Sequence, residues 1–278
     1  MSALTLAYSP CPNDTYVFAA LTNNLLDGAP PVDVHLADID ELNEAAAHGR
    51  FELIKVSYGA IPYLADRYRI LRAGGAIGRG CGPLLVARPE AAPPLFADFA
   101  RRSIAIPGER TTAFLLLQLA LGRRPRTQVV RFDEIVSAVC AGRADGGLII
   151  HESRFTYREA GLISIADLGE WWENMTKLPI PLGAILVRND VADDVARTVD
   201  EAIRRSLAFA RANESAVMPY VREHAFEMSD EVMRRHIALY VNEFTEDVGD
   251  AGIAAVHALF VRARDAGIIG RAVEPHFV

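Results

Sequence analysis

His151 ends an apolar run, Gly146–Ile150, and is followed by Glu152, Ser153 and Arg154. A buried strand that stops on an imidazole presents a group able to take a proton near neutral pH. In open α/β sheets ligands collect beyond the carboxyl ends of strands, which is where such a residue sits. His151 is therefore the leading candidate for a general base, and Glu152 the neighbour that could orient it. Its competing reading is a histidine that only hydrogen-bonds its own loop. The other six of the seven histidines carry weaker signals. His236 and His257 fall in helical patterns and read as surface or packing residues. His35, His48, His224 and His276 have no convergent neighbours.

A second group is PGERTTAF, where Thr111 and Thr112 stand at the passage from a strand–turn into a helix. Hydroxyls there cap free amides, and those amides with the positive end of the helix dipole also hold a carboxylate or phosphate. The spacing GxxxxGK[ST] is missing, so a carboxylate fits better than a nucleotide. A third is SPCPND, a rigid turn that aims another helix start the same way; its Cys11 has no pattern specific to a cysteine nucleophile. The fourth is KVSYGA. Lys55 and Ser57 share one face of a predicted strand because side chains alternate. A lysine in an apolar strand needs a partner carboxylate or a polar ligand. GGAIGRGCGP does not match GxGxxG in a strand–turn–helix setting and reads as a tight connection, with Arg79 a weak ligand candidate. Trp171 and Trp172 read as an aromatic wall or as helix packing.

The elements that must carry these groups are legible as an alternation. Strands are predicted over 4–8, 32–37, 53–57 and 84–88, with helices between them, one capped by Asn13 or Asp14 and another ending at Gly49. A proline-rich connector near residue 89 is followed by a restart: strands over 103–106, 129–132 and 147–150, and helices over 113–121 and 133–141. After Pro179 and Pro181 comes one more apolar strand. From Val191 the apolar spacing is helical almost to the end. Such alternation predicts α/β with mostly parallel strands. The restart predicts a larger lobe of residues 1–88 and 186–278 and a smaller inserted lobe of 89–185, with a cleft between them.

Composition bounds the partners. The chain has 278 residues, 51% hydrophobic and 23% charged, with a net charge of −7. That balance argues against nucleic acid and obliges an acidic ligand to find local positive groups. No run approaches a membrane span, and MSALTLAYSP lacks the basic and apolar regions of a secretory signal. The three scattered cysteines, Cys11, Cys81 and Cys140, fit neither zinc nor a disulfide framework and suit a reducing cytoplasm. No cofactor or metal is expected. A small carboxylic acid is the expected ligand. The apolar faces of the C-terminal helices leave a homodimer open.

Taken in order, SPCPNDTYVF, KVSYGAIPYL, GGAIGRGCGPLLVAR, IAIPGERTTAF, GLIIHESRFTY and LPIPLGAI resemble the 1,4-dihydroxy-6-naphthoate synthases of the futalosine route to menaquinone. The resemblance implies a two-lobed fold like the type II periplasmic binding proteins, with a cleft between lobes and a helical C-terminal segment. It implies a lyase that converts cyclic dehypoxanthine futalosine to 1,4-dihydroxy-6-naphthoate and releases dihydroxyacetone. It implies His151 as general base and Lys55, Val56, Ser57, Thr111 and Thr112 as substrate contacts. Two alternatives share the fold: a non-catalytic solute-binding protein, disfavoured by the missing signal, and a sibling chorismate dehydratase, disfavoured by HESRFTY.

Overall fold

A computed structural model describes residues 3–93, 95–225, 229–270 and 273–278. Pro94, part of the expected connector, lies outside the described residues. The strands are β1 (Leu4–Tyr8), β2 (Val32–Leu36), β3 (Leu53–Ser57), β4 (Tyr68–Ile70), β5 (Ala76–Gly78), β6 (Leu84–Ala87), β7 (Ser103–Ile106), β8 (Arg126–Val129), β9 (Gly146–Ile149), β10 (Ile163–Asp167) and β11 (Ile180–Arg188). They form two sheets. One is ordered β2-β1-β3-β11-β4, with β5 also paired to β11; the other is β10-β6-β9-β7-β8. The helices are α1 (Pro12–Thr22), α2 (Ile39–Ala47), α3 (Thr112–Leu121), α4 (Ile135–Cys140), α5 (Ser153–Thr156), α6 (Leu168–Thr176), α7 (Asp193–Ala212), α8 (Glu214–His224), α9 (Asp230–Tyr240), α10 (Glu243–Glu246) and α11 (Gly249–Asp265). Among the described residues no helix is long and apolar enough to cross a membrane.

β3 reads LIKVS and is buried at every position, as a central strand in a sheet covered on both faces should be. The expected parallel character is only partly met. β1 pairs parallel with β2 and β3, and β7 with β8 and β9, whereas β11 runs antiparallel to β3, β4 and β5, and β6 antiparallel to β9 and β10. The antiparallel half comes from β11 and β6, strands that carry the chain across between sheets. The expected lobe boundaries fall at 88/89, just past β6, and at 185/186, inside β11. β6 lies wholly in the five-stranded sheet and all of β11 in the six-stranded one.

Local differences have simple causes. β8 begins at Arg126, upstream of the predicted 129–132, because it is an exposed edge strand whose polar residues gave no apolar signal. β4, β5 and β10 were not predicted; two are three residues long and β10 is mostly exposed or half-buried. α1 is capped by Cys11, with Pro12 in its first turn, so Asn13 and Asp14 lie inside the helix. β11 changes register against β5 between Pro181 and Gly183, and the Leu182 carbonyl between them accepts from the Tyr58 amide at 3.1 Å.

Candidate active site

The exits of β1, β3 and β9 and the start of α3 converge on a cavity of about 80 Å³ between the two sheets. Ser9, Asn13, Asp14, Lys55 and Ser57 line it from the six-stranded side, and Thr111, Thr112, Ile150 and His151 from the five-stranded side. Pro83, Leu182, Cys81 and Tyr240 contribute to the rest of the wall. The cavity therefore brings His151, Lys55, Ser57, Thr111 and Thr112 together. Val56 faces the other way. Strand alternation turns it into the core, where it is fully buried.

Each polar group is positioned by a nameable bond. Lys55 Nζ lies 2.7 Å from Asp14 Oδ1, and both are buried, so the strand lysine has found its carboxylate. It also donates to the Gly74 carbonyl at 3.3 Å. Asp14 is further held by Ser9 Oγ at 2.7 Å and by Asn13 Nδ2 at 2.8 Å. Ser57 is fixed by Asn43, whose Oδ1 accepts from the Ser57 amide at 2.9 Å and whose Nδ2 donates to the hydroxyl at 3.1 Å.

At the opposite wall Thr111 caps α3 by accepting from the Phe114 amide at 3.2 Å. Thr112 donates to the Leu182 carbonyl at 2.7 Å and accepts from the Gly59 amide at 3.0 Å, bridging the sheets. Both hydroxyls are thus committed to protein. The first-turn amides of Thr112 and Ala113 have no protein acceptor among the described residues, and they carry the anion-holding potential of this helix start.

His151 stands directly beyond β9 with a left-handed backbone, φ 54°. That conformation is uncommon for a side-chain-bearing residue and strained relative to the extended and helical wells. Its Nδ1 lies 3.5 Å from Cys11 Sγ. Phe132 packs edge-on against the ring at 5.0 Å, and His236 stacks near-parallel at 6.0 Å. Burial pushes the imidazole down to about 4, opposed by the Asp14 charge and reinforced by that of Lys55. It is therefore neutral around pH 7. Glu152 does not hold it. That carboxyl has one oxygen buried without a partner, and burial raises it to about 7.

His236, read from spacing as a surface or packing residue, is fully buried against the His151 ring and bonds Asn13 Oδ1 through Nε2 at 2.9 Å. Only tertiary contact reveals it, because its helix shows an ordinary amphipathic pattern. Arg79 is exposed and bonds the Lys177 carbonyl. Trp172 is a core residue whose Nε1 donates to the Pro179 carbonyl at 2.9 Å. Arg154 is spent on the Gly80 and Gly82 carbonyls and on Asp167.

The chain as a whole matches a family. The model of a family described as "Menaquinone biosynthesis" covers residues 4–265. A 1,4-dihydroxy-6-naphthoate synthase of Thermus thermophilus is 48% identical over the whole of both chains. A solved structure from Archaeoglobus fulgidus, protein AF1704, superposes with a TM-score of 0.89 at 33% identity, covering 96% of this chain and 98% of that one. The alkanesulfonate-binding protein SsuA of Xanthomonas axonopodis pv. citri, at 15% identity, superposes with a TM-score of 0.74 over 99% of this chain and 96% of its own, and so shares the periplasmic-binding-protein-like fold. By full-length identity and by fold, the chain belongs to the 1,4-dihydroxy-6-naphthoate synthase family of menaquinone biosynthesis.

Proposed function

We propose that this chain is a carbon–carbon lyase that converts cyclic dehypoxanthine futalosine to 1,4-dihydroxy-6-naphthoate with release of dihydroxyacetone. The observation that carries the reading is a neutral imidazole and the unpaired helix-start amides of α3 opening on one cavity, faced by Lys55 and Ser57 from the six-stranded side. Opening the bond to the sugar-derived fragment and aromatising the product needs a proton to leave a carbon, and aromatisation drives the step. His151 takes that proton. The Thr112 and Ala113 amides hold the substrate carboxylate, with the dipole of α3 behind them. Ser57 and the remaining proton of Lys55 hydrogen-bond ring oxygens as charge develops on them. The positive charge of Lys55 is balanced by Asp14, so the wall polarises an oxygen without presenting an unpaired buried cation.

The test uses wild type and His151→Asn with cyclic dehypoxanthine futalosine, following naphthoate absorbance and, separately, substrate binding. Positioned base catalysis contributes roughly 10²–10⁴-fold, so the variant keeps binding and loses turnover by about that factor. Wild-type rates in His151→Asn remove the base role. An inert wild type that consumes chorismate makes the chain a dehydratase, and one that binds both compounds unchanged makes it a solute-binding protein.

A further inference from the structure

A hydroxyl both gives and takes hydrogen bonds, so a serine in a cavity wall says little about its ligand until the protein fixes which it does. At Ser57 the fixing group is Asn43. With Ile39, Leu42 and Ala46 it makes up the buried side of α2, and it is 1% exposed. An amide in such a place is unfavourable unless it is bonded. Among the described residues both of its side-chain bonds go to Ser57.

These bonds run in one direction only. The pairing of β3 with β1 joins Leu53 to Leu6 and Ile54 to Ala7. The Ser57 amide lies past that pairing and needs another acceptor. It gives its proton to Asn43 Oδ1 at 2.9 Å. A backbone N–H cannot accept, so the asparagine carbonyl must face it. The amide nitrogen then faces the serine hydroxyl at 3.1 Å, and an NH₂ group only donates. The Ser57 oxygen therefore accepts from Asn43, and its own proton has no acceptor among the described residues. Ser57 lines the cavity and is otherwise buried, so that proton is left for a ligand.

We infer that Asn43 is a positioning residue that makes the Ser57 hydroxyl a hydrogen-bond donor to the ligand, and so selects a ligand oxygen that accepts. The rest of this wall agrees. Lys55, on the same face of β3, spends two of its three protons on Asp14 Oδ1 and the Gly74 carbonyl and keeps one. The Asp14 carboxylate is engaged by Lys55, Asn13 and Ser9. What β3 holds out to the cavity is two protons. A carbonyl, enolate or phenolate oxygen satisfies them. A ligand with no acceptor there leaves the buried Ser57 proton unpaired, which is the costly arrangement.

The inference rests on the proposal that a naphthoate ring occupies this cavity, and its test reads binding without turnover. The probes are 1-tetralone-6-carboxylate, whose ring oxygen only accepts, and 5-hydroxy-2-naphthoate, whose ring oxygen also donates. Both carry the same carboxylate at the same remove. Asn43→Asp replaces the NH₂ group by an oxygen of the same size, which takes the Ser57 proton and withdraws it from the cavity. The ketone then loses about tenfold more affinity than the phenol, the size of one ordinary hydrogen bond. The added charge and any loosening of the fold weigh on both probes and leave that ratio alone. Ser57→Ala, which buries no charge, weakens the ketone about tenfold by itself, and in its background Asn43→Asp no longer moves the ratio. A ratio unchanged in Asn43→Asp, or wild-type ketone affinity in Ser57→Ala, overturns the inference. An unshifted ratio beside full lyase turnover sinks the inference alone. A shifted ratio without turnover supports it and sinks the reaction, and a wild type that binds neither probe removes both.

Discussion

His151 combines a strained left-handed backbone with an imidazole that burial pushes down to about 4, well below the ordinary histidine value. The sign of the pH effect follows. An unfolded histidine titrates near 6.5, and the folded one lower, so the unfolded chain binds the extra proton first. The contribution to stability is whole above pH 6.5, erodes as pH falls toward 4, and is flat below both values. The same shift keeps the lone pair available across neutral pH. We expect kcat/KM to hold from about pH 8 down to about 5 and to fall below that, in step with the His151 ring resonances. A limb centred at 6.5 or above would show an imidazole freely solvated in the resting enzyme. At this scale the sequence was informative where a residue is placed by a strand end, as His151 and the pair Lys55 and Ser57 are. It was silent on His236, Asn43 and Asp14 as site partners, because their roles arise from contacts across 223, 14 and 41 positions of chain.

The elements that carry these residues meet at glycines. Gly59 follows β3, and a Cβ there would lie 2.9 Å from both the carbonyl carbon and the oxygen of Thr111 at the start of α3. These are backbone atoms and cannot swing aside. Gly59→Ala therefore pushes the exit of β3 away from the helix start proposed to hold the carboxylate, and stretches the Gly59–Thr112 bond. Overpacking of this kind costs about 1–3 kcal/mol, or a Tm loss of several degrees at roughly 2–4 °C per kcal/mol for a chain of this size. KM rises about tenfold on the same grounds, with kcat less affected, in a comparison of steady-state constants and thermal melts. Wild-type KM and Tm in Gly59→Ala would mean that this approach does not set the cavity width. Periodicity recovered the long, buried elements, among them β1, β3, α3 and α7. It missed β4, β5 and β10 and misplaced β8, because short or exposed strands have no apolar repeat to read.

The two sheets share one hydrophobic cluster, and each packs its other face in a cluster of its own. Ala7, Ile54 and Leu186 from the six-stranded sheet join Leu85, Ile104 and Leu148 from the five-stranded one through Phe114 and the fully buried Trp172. The sheets are also bonded across the cavity through Thr112 and Leu182. A cavity of about 80 Å³ lies between them, and a ligand gripped by both walls would draw the sheets together. Shared packing and a closing cleft make a joint demand on the melting curve. Secondary-structure and tertiary probes should report one coincident transition, because the cluster the sheets share is lost to both when either unfolds. 1,4-Dihydroxy-6-naphthoate at about 100 times its Kd should add about 2.7 kcal/mol, raising Tm by roughly 5–10 °C without splitting that transition. Thr112→Val keeps the apolar contact and removes the bridging hydroxyl, so it should shrink the ligand-induced shift more than it lowers the unliganded Tm. Two separate transitions, or a shift of full size in Thr112→Val, would show that the sheets are stabilised independently and that ligand does not act by drawing them together.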